Sequence, residues 1–99
     1  MIGKKIDKKI MEVLKKHIGE NITVKMVWFG ESRTVEGILK EVEPGFITVV
    51  GSEKDRIPFK DHDIAIKRII SSDEDILYDN PGIIDPSFFY HLSDDFLPK

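Results

Sequence analysis

The stretch NITVKMVWFGESRTVEGILKEVEPGFITVV, residues 21–50, decides the fold. From Asn21 its apolar side chains alternate: Ile22, Val24, Met26 and Trp28 fall on one face, opposite Thr23, Lys25, Val27 and Phe29. A period of two is that of a strand with one face buried. Gly30-Glu31-Ser32 reads as a turn. Val35, Gly37 and Leu39 then resume the alternation until Glu43-Pro44-Gly45 breaks it, so the two runs pair as a hairpin. Gly37, in mid-strand, lacks a side chain where the second strand must bend, which turns Leu39 inward.

Beyond this hairpin the chain continues in short strands. Phe46 to Val50 is β-branched and aromatic, residues 51–55 are a polar turn, and Arg56 to Lys60 forms a fourth strand carrying Ile57 and Phe59. Pro58 marks that strand as an edge or the site of a bulge. Lys60-Asp61-His62 connects tightly into a fifth strand from Asp63 to Ile70, with Ile64 and Ile66 on one face. Five short strands over about 50 residues bury a core only by curling over on themselves, so the expected fold class is mainly β, a strongly bent five-stranded small barrel. Before it, Ile2, Ile6, Ile10, Val13, Leu14 and His17 recur at helical spacing, and Gly19 supplies the left-handed residue that ends an amphipathic helix.

At 99 residues the chain suits one core. Its longest apolar run, Met26 to Phe29, is far shorter than the roughly 20 residues of a membrane span, and no apolar signal segment opens the sequence; no membrane partner and a cytoplasmic location are expected. The absence of cysteine excludes disulfides, thiolate catalysis and cysteine-held zinc. Abundant Lys, Glu and Ile without Cys or Gln resembles the composition of proteins from hot environments. Residues 1–70 carry a formal charge of +3 and residues 71–99 one of −6, which divides the chain into a helix-and-barrel unit, 1–70, and an acidic C-terminal extension, 71–99. Asp85 followed by Pro86 is a helix-start signal, and Phe88, Phe89, Leu92 and Phe96 would group on one side of a short helix, available to dock on the barrel, a neighbouring subunit or a protein partner.

The order of a helix followed by five bent strands, with Gly37-Ile38-Leu39 in the second, resembles the Sm/LSm family and, more distantly, bacterial Hfq, over residues 15–70. In that alignment the family's aspartate falls on Glu43, its base-reading asparagine on Ile47 and its stacking position near Gly45, while Phe59-Lys60-Asp61 stands where an apolar residue, arginine and glycine are usual. The resemblance implies a ring-forming homo-oligomer whose fourth and fifth strands pair between subunits, making Ile57, Phe59, Ile64 and Ile66 interface candidates, and a pore that binds single-stranded, often uridine-rich RNA. Of the family's RNA-binding groups only a cation, Lys60, is kept.

The remaining candidates come from the residues themselves. Lys4, Lys5, Lys8, Lys9, Lys15 and Lys16 stand against only Asp7 and Glu12 on the helix, enough to steer a polyanion, although such a stripe is also what a helix shows to water. Trp28 and Phe29 beside Arg33 offer base stacking with a nearby cation. The RNA-binding candidates are therefore Lys4, Lys8, Trp28, Phe29, Arg33 and Lys60. Asp61-His62-Asp63 contains ligand-type side chains that diverge along the backbone, which favours a surface turn over a metal site. No nucleophile elbow, phosphate loop or distinct carboxylate pair occurs. The expected function is a non-catalytic, cofactor-free Sm-like oligomeric module associated with RNA, the alternative being a protein-interaction scaffold that has lost RNA reading.

Overall fold

A computed structural model describes residues 6–83. It is mainly β: one short helix precedes antiparallel strands that curl into a nearly closed, barrel-like sheet. The helix, α1 (Lys8–Lys15), starts where the Asp7 carboxylate accepts a hydrogen bond from the Ile10 amide at 2.9 Å. It ends in a turn through Gly19, whose φ of +95° is left-handed. The Gly19 amide donates to the Leu39 carbonyl at 2.8 Å and the Leu39 amide to the Glu20 carbonyl at 3.0 Å, so the helix exit is stitched to the middle of the second strand. Leu14 is fully buried and Ile6 nearly so, with Ile10 and Met11 packed against the same core. Val13, expected on the buried face, is 42 % exposed. The helix rests on the barrel through a narrower stripe than its apolar spacing suggests.

Strands β1 (Asn21–Trp28) and β2 (Glu31–Val42) pair in register from Asn21 opposite Ile38 to Trp28 opposite Glu31. The turn between them is Phe29-Gly30, starting one residue earlier than the expected Gly30-Glu31-Ser32 and one residue shorter, and both have positive φ, +50° and +81°. That is the conformation two-residue hairpins favour, because its twist matches that of the strands. Strand β2 runs 12 residues and passes so close to β3 at Gly37 that an added Cβ would lie 2.6 Å from the Val50 carbonyl oxygen; its register with β3 shifts between Leu39 and Glu41. Leu39 is fully buried. Strand β3 (Phe46–Val50) pairs with β2, and β4 (Lys54–Pro58) pairs with β3.

Here the structure departs from five strands. The expected fourth strand is divided at Phe59 into β4 and a two-residue β5 (Lys60–Asp61), which turns through His62 (φ +45°) to pair with β6 (Ile64–Ser71). A seventh, β7 (Ile76–Asp79), lies within the segment read as an acidic extension and pairs with the end of β6. The order across the sheet is β4-β3-β2-β1-β6, with β5 and β7 both on the far edge of β6. The sheet thus continues past the charge boundary at Ser71.

The core is the inside of this curl: Ile22, Val24 and Met26 from β1, Leu39 and Val42 from β2, Ile47 and Val49 from β3, and Ile57, Phe59, Ile66 and Ile69 from the closing side. Tyr78 of β7 enters it as well, its ring 5.2 Å from that of Phe59. Burial pushes the Tyr78 phenol above its usual range, the neighbouring Asp79 carboxylate adding to this and the Asn80 side chain opposing it. Its buried hydroxyl has no well-formed hydrogen bond among the described residues. The Arg68 Nε–Asp79 Oδ1 ion pair, at 3.1 Å, ties β7 to β6 on the outer face.

Candidate nucleic-acid interface

The β1–β2 hairpin gathers three of the expected RNA-binding residues at one point. Trp28, at the end of β1, is half-buried against the core. Phe29 occupies the first turn position and is 61 % exposed. Their rings meet edge to face with centroids 5.4 Å apart, and the Arg33 guanidinium lies 4.6 Å from the centre of the Trp28 ring. Arg33 reaches it because Met26 is opposite Arg33 across the ladder, which sets Trp28 a diagonal step away.

Phe29 is held unusually. A left-handed backbone suits Gly or Asn, whereas a bulky side chain there is strained by about 1–2 kcal/mol. The Phe29 amide donates to the Asp63 carbonyl at 2.8 Å, which fastens the hairpin tip to the β5–β6 turn. That turn carries His62, and β5 before it carries Lys60. Together with Val27, Gly30 and Asp63 these line an open depression of about 370 Å³ beside the tip. An exposed aromatic edge, a stacked guanidinium and an exposed ammonium therefore share one end of the barrel. Aromatic edges and cations of this kind are suited to flat rings and phosphates.

The other expected residues fall elsewhere. Lys8 is exposed in the first turn of α1. Lys15 and Lys16 stand at the helix end that leads into Asn21, separated from the hairpin tip by the length of β1, roughly 20 Å at the usual rise per strand residue. Lys4 lies outside the described residues, as do Asp85, Phe88, Phe89, Leu92 and Phe96. Ile57, Phe59 and Ile66, expected at a subunit interface, are buried in the chain's own core, and Ile64 packs against it. Ile47 is likewise fully buried, so its position cannot present a group to a base. His62 Nε2 and Asp61 Oδ1 are 3.6 Å apart, beyond hydrogen-bond range, and among the described residues no three metal-ligating side chains converge.

A second cation lies on an aromatic ring. The Arg56 guanidinium lies 3.8 Å from the centre of the Phe46 ring, on the outside of the β3–β4 pair. The two residues are diagonal neighbours there, since Phe46 is opposite Pro58 and Thr48 opposite Arg56. The sequence shows no trace of this until the register is known.

Comparison of the chain with protein-family models, with curated proteins and with solved structures finds no match. Among the described residues no helix is long and apolar enough to cross a membrane.

Proposed function

We propose that this chain is a non-catalytic, Sm-like small-barrel module that assembles as a homo-oligomer and associates with single-stranded RNA through the Trp28–Phe29–Arg33 hairpin tip and Lys60. The observation that carries this reading is the placement of Phe29: a bulky aromatic in a left-handed turn position, 61 % exposed and edge-on to Trp28. Backbone strain of this kind persists where it serves a surface function. A base stacked on such a platform contributes about 1–3 kcal/mol whatever its identity, and Arg33 and Lys60 supply phosphate contacts. With Ile47 in the core in place of a base-reading amide, binding rests on stacking and charge, with little preference for uridine and a steep dependence on salt.

Anisotropy of labelled oligouridine and oligoadenosine, titrated with protein at two salt concentrations, tests the reading. Both should bind with similar affinity and weaken together as salt rises. Lys60→Gln should reduce the slope of log affinity against log salt by about 0.7, the value for one phosphate contact on a single strand. Tight, salt-insensitive and uridine-selective binding, or none at low salt, would overturn it. The alternative of a protein-interaction scaffold draws on the outer edge of β4, which has no strand partner among the described residues.

A further inference from the structure

The outer face of the sheet runs on from the hairpin tip, and the ladder register fixes what it presents. Ile22, Val24 and Met26 are buried in the core, so the residues between and after them, Thr23, Lys25 and Val27, face outward. Because β1 is paired on both sides, each of these begins a row across three strands. Val27 lies between Ser32 and Ala65, Lys25 between Thr34 and Arg68, and Thr23 between Glu36 and Ile70. Lys60, opposite Ala65, extends the first row. From Val27 to Thr23 the strip is roughly 13 Å long at the usual rise per strand residue.

An open depression lies at each end of the strip. The first is the one beside the tip, lined by Val27, Lys60 and Ala65 among others. The second, of about 440 Å³, is lined by Thr23, Arg68, Ile70, Ser71, Ser72 and Glu74 on the same face. Lys25 stands in the row between them. It is exposed, and its ammonium makes no ion pair or hydrogen bond among the described residues. Arg68, opposite it, is already paired with Asp79 at 3.1 Å, so an anion crossing the strip meets its countercharge at Lys25.

The second depression differs in chemistry from the first, offering hydroxyls and a carboxylate where the first offers an ammonium. Ser71 is buried, and its oxygen accepts from the Asp75 amide at 3.1 Å, which leaves its O–H to donate elsewhere. Glu74 has a left-handed backbone, φ +67°, and its amide donates to the Ser71 carbonyl at 2.9 Å. This turn sets a carboxylate acceptor beside a hydroxyl donor. A phosphate is repelled by such a carboxylate, whereas a ribose 2′-hydroxyl, at once donor and acceptor, is matched by the pair. Half-buried Ile70 supplies an apolar surface for the carbons of the sugar.

We infer that a strand stacked on the hairpin tip continues over the outer face of β1 and β6, with a phosphate beside Lys25 and a ribose 2′-hydroxyl in the Thr23–Ser71–Glu74 depression, so that the chain prefers RNA to DNA of the same sequence. This path rests on the reading above, in which the tip binds single-stranded RNA. Stacking and phosphate contacts at the tip do not distinguish the two sugars, so the preference arises at the far depression.

Anisotropy of labelled oligoadenosine and oligodeoxyadenosine of equal length, titrated with the full chain at several salt concentrations, separates the path from the tip. The wild type should bind the ribose strand about fivefold more tightly, the worth of one hydrogen bond. Lys25→Gln should lower the slope of log affinity against log salt by about 0.7 for both strands. Lys54→Gln, at an exposed lysine on β4, should leave that slope unchanged. Thr23→Val/Glu74→Ala should bring the two strands within about twofold of each other without lowering the slope. In the wild type, a readout that needs no variant to fold, the amide resonances of Thr23, Lys25 and Ser72 should shift together with those of Phe29 and Lys60 as oligoadenosine is added. Shifts confined to the tip, equal affinity for the two strands, a ribose preference that survives Thr23→Val/Glu74→Ala, or a Lys25→Gln slope no different from that of Lys54→Gln would overturn the path and leave the tip standing. An absence of binding by either strand at low salt would overturn both.

Discussion

Gly37→Ala probes the close approach of the long β2 to the end of β3. A Cβ at this position would sit 2.6 Å from the Val50 oxygen, 2.7 Å from the Val50 carbonyl carbon and 2.8 Å from the Gly51 nitrogen, all of them backbone atoms. Real Cβ atoms essentially never come within 3.0 Å of such neighbours, so β2 and β3 must part by about 0.4 Å before even that limit is met. No side chain can rotate away to absorb the shift. Inserting a methyl group into packing this tight costs about 1–3 kcal/mol. Alanine returns about 0.4–1 kcal/mol by restricting the unfolded chain, which leaves a net loss of the order of 1–2 kcal/mol. At about 4–8 °C per kcal/mol for a domain of this size, the melting temperature should fall by roughly 5–15 °C. Gly45→Ala is the control: nothing lies within 4 Å of its added Cβ and its φ is not positive, so its melting temperature should be unchanged or slightly raised. Thermal denaturation followed by circular dichroism, with the two variants side by side, reads the difference. Equal melting temperatures for Gly37→Ala and wild type would refute the close crossing of β2 and β3.

Two further predictions concern single side chains. Phe29→Asn should raise the melting temperature, since Asn-Gly is the favoured pair for this turn and about 1–2 kcal/mol of left-handed strain is relieved, yet it should weaken RNA binding measured by anisotropy; gain or loss in both together would contradict the role assigned to Phe29. Burial holds the folded pKa of the Tyr78 phenol above its ordinary value of 10.0, so the stability tied to its neutral form is complete below that pH and is lost as pH rises through the folded value. Urea midpoints between pH 9 and 11.5 should accordingly fall more steeply for the wild type than for Tyr78→Phe, and parallel curves would show that the phenol is not the responsible group.

The parts of the fold that are legible in the sequence are those governed by a simple period. The alternation through Ile22, Val24 and Met26, the left-handed exit at Gly19 and the need for glycine at position 37 each follow from one residue type at one spacing. The β1–β2 turn was displaced because Phe29 is not a residue that normally takes a positive φ. Strand β7 escaped for a different reason. Asp73-Glu74-Asp75 announces a change of composition, and the four residues after it carry too little pattern to announce a strand, although Tyr78 is needed to complete the core beside Phe59. The division of the fourth strand at Phe59 depends on His62 turning the chain with a positive φ, which no local signal gives.

The candidate site was legible in its members more than in its arrangement. Trp28, Phe29 and Arg33 are close in sequence, so their meeting at a hairpin tip follows once the hairpin is recognised. Lys60 joins them through long-range pairing, Val27 standing opposite Ala65 and Ala65 opposite Lys60, and through the Phe29–Asp63 main-chain bond between residues 34 apart in the chain, none of which a periodicity encodes. The apolar residues Ile57, Phe59 and Ile66 are interface candidates only by resemblance, and the barrel buries them in its own interior.

Trp28 is the only tryptophan in the chain, so its emission reports directly on the proposed RNA surface. Titrating the protein with unlabelled single-stranded RNA at low salt should quench or shift that emission saturably. Raising the salt should reverse the change, and Phe29→Ala should reduce the affinity by about 5- to 150-fold, the equivalent of about 1–3 kcal/mol of stacking. An emission spectrum that does not change as RNA is added, under conditions where anisotropy shows the RNA to be bound or where it shows no binding at all, would contradict the account.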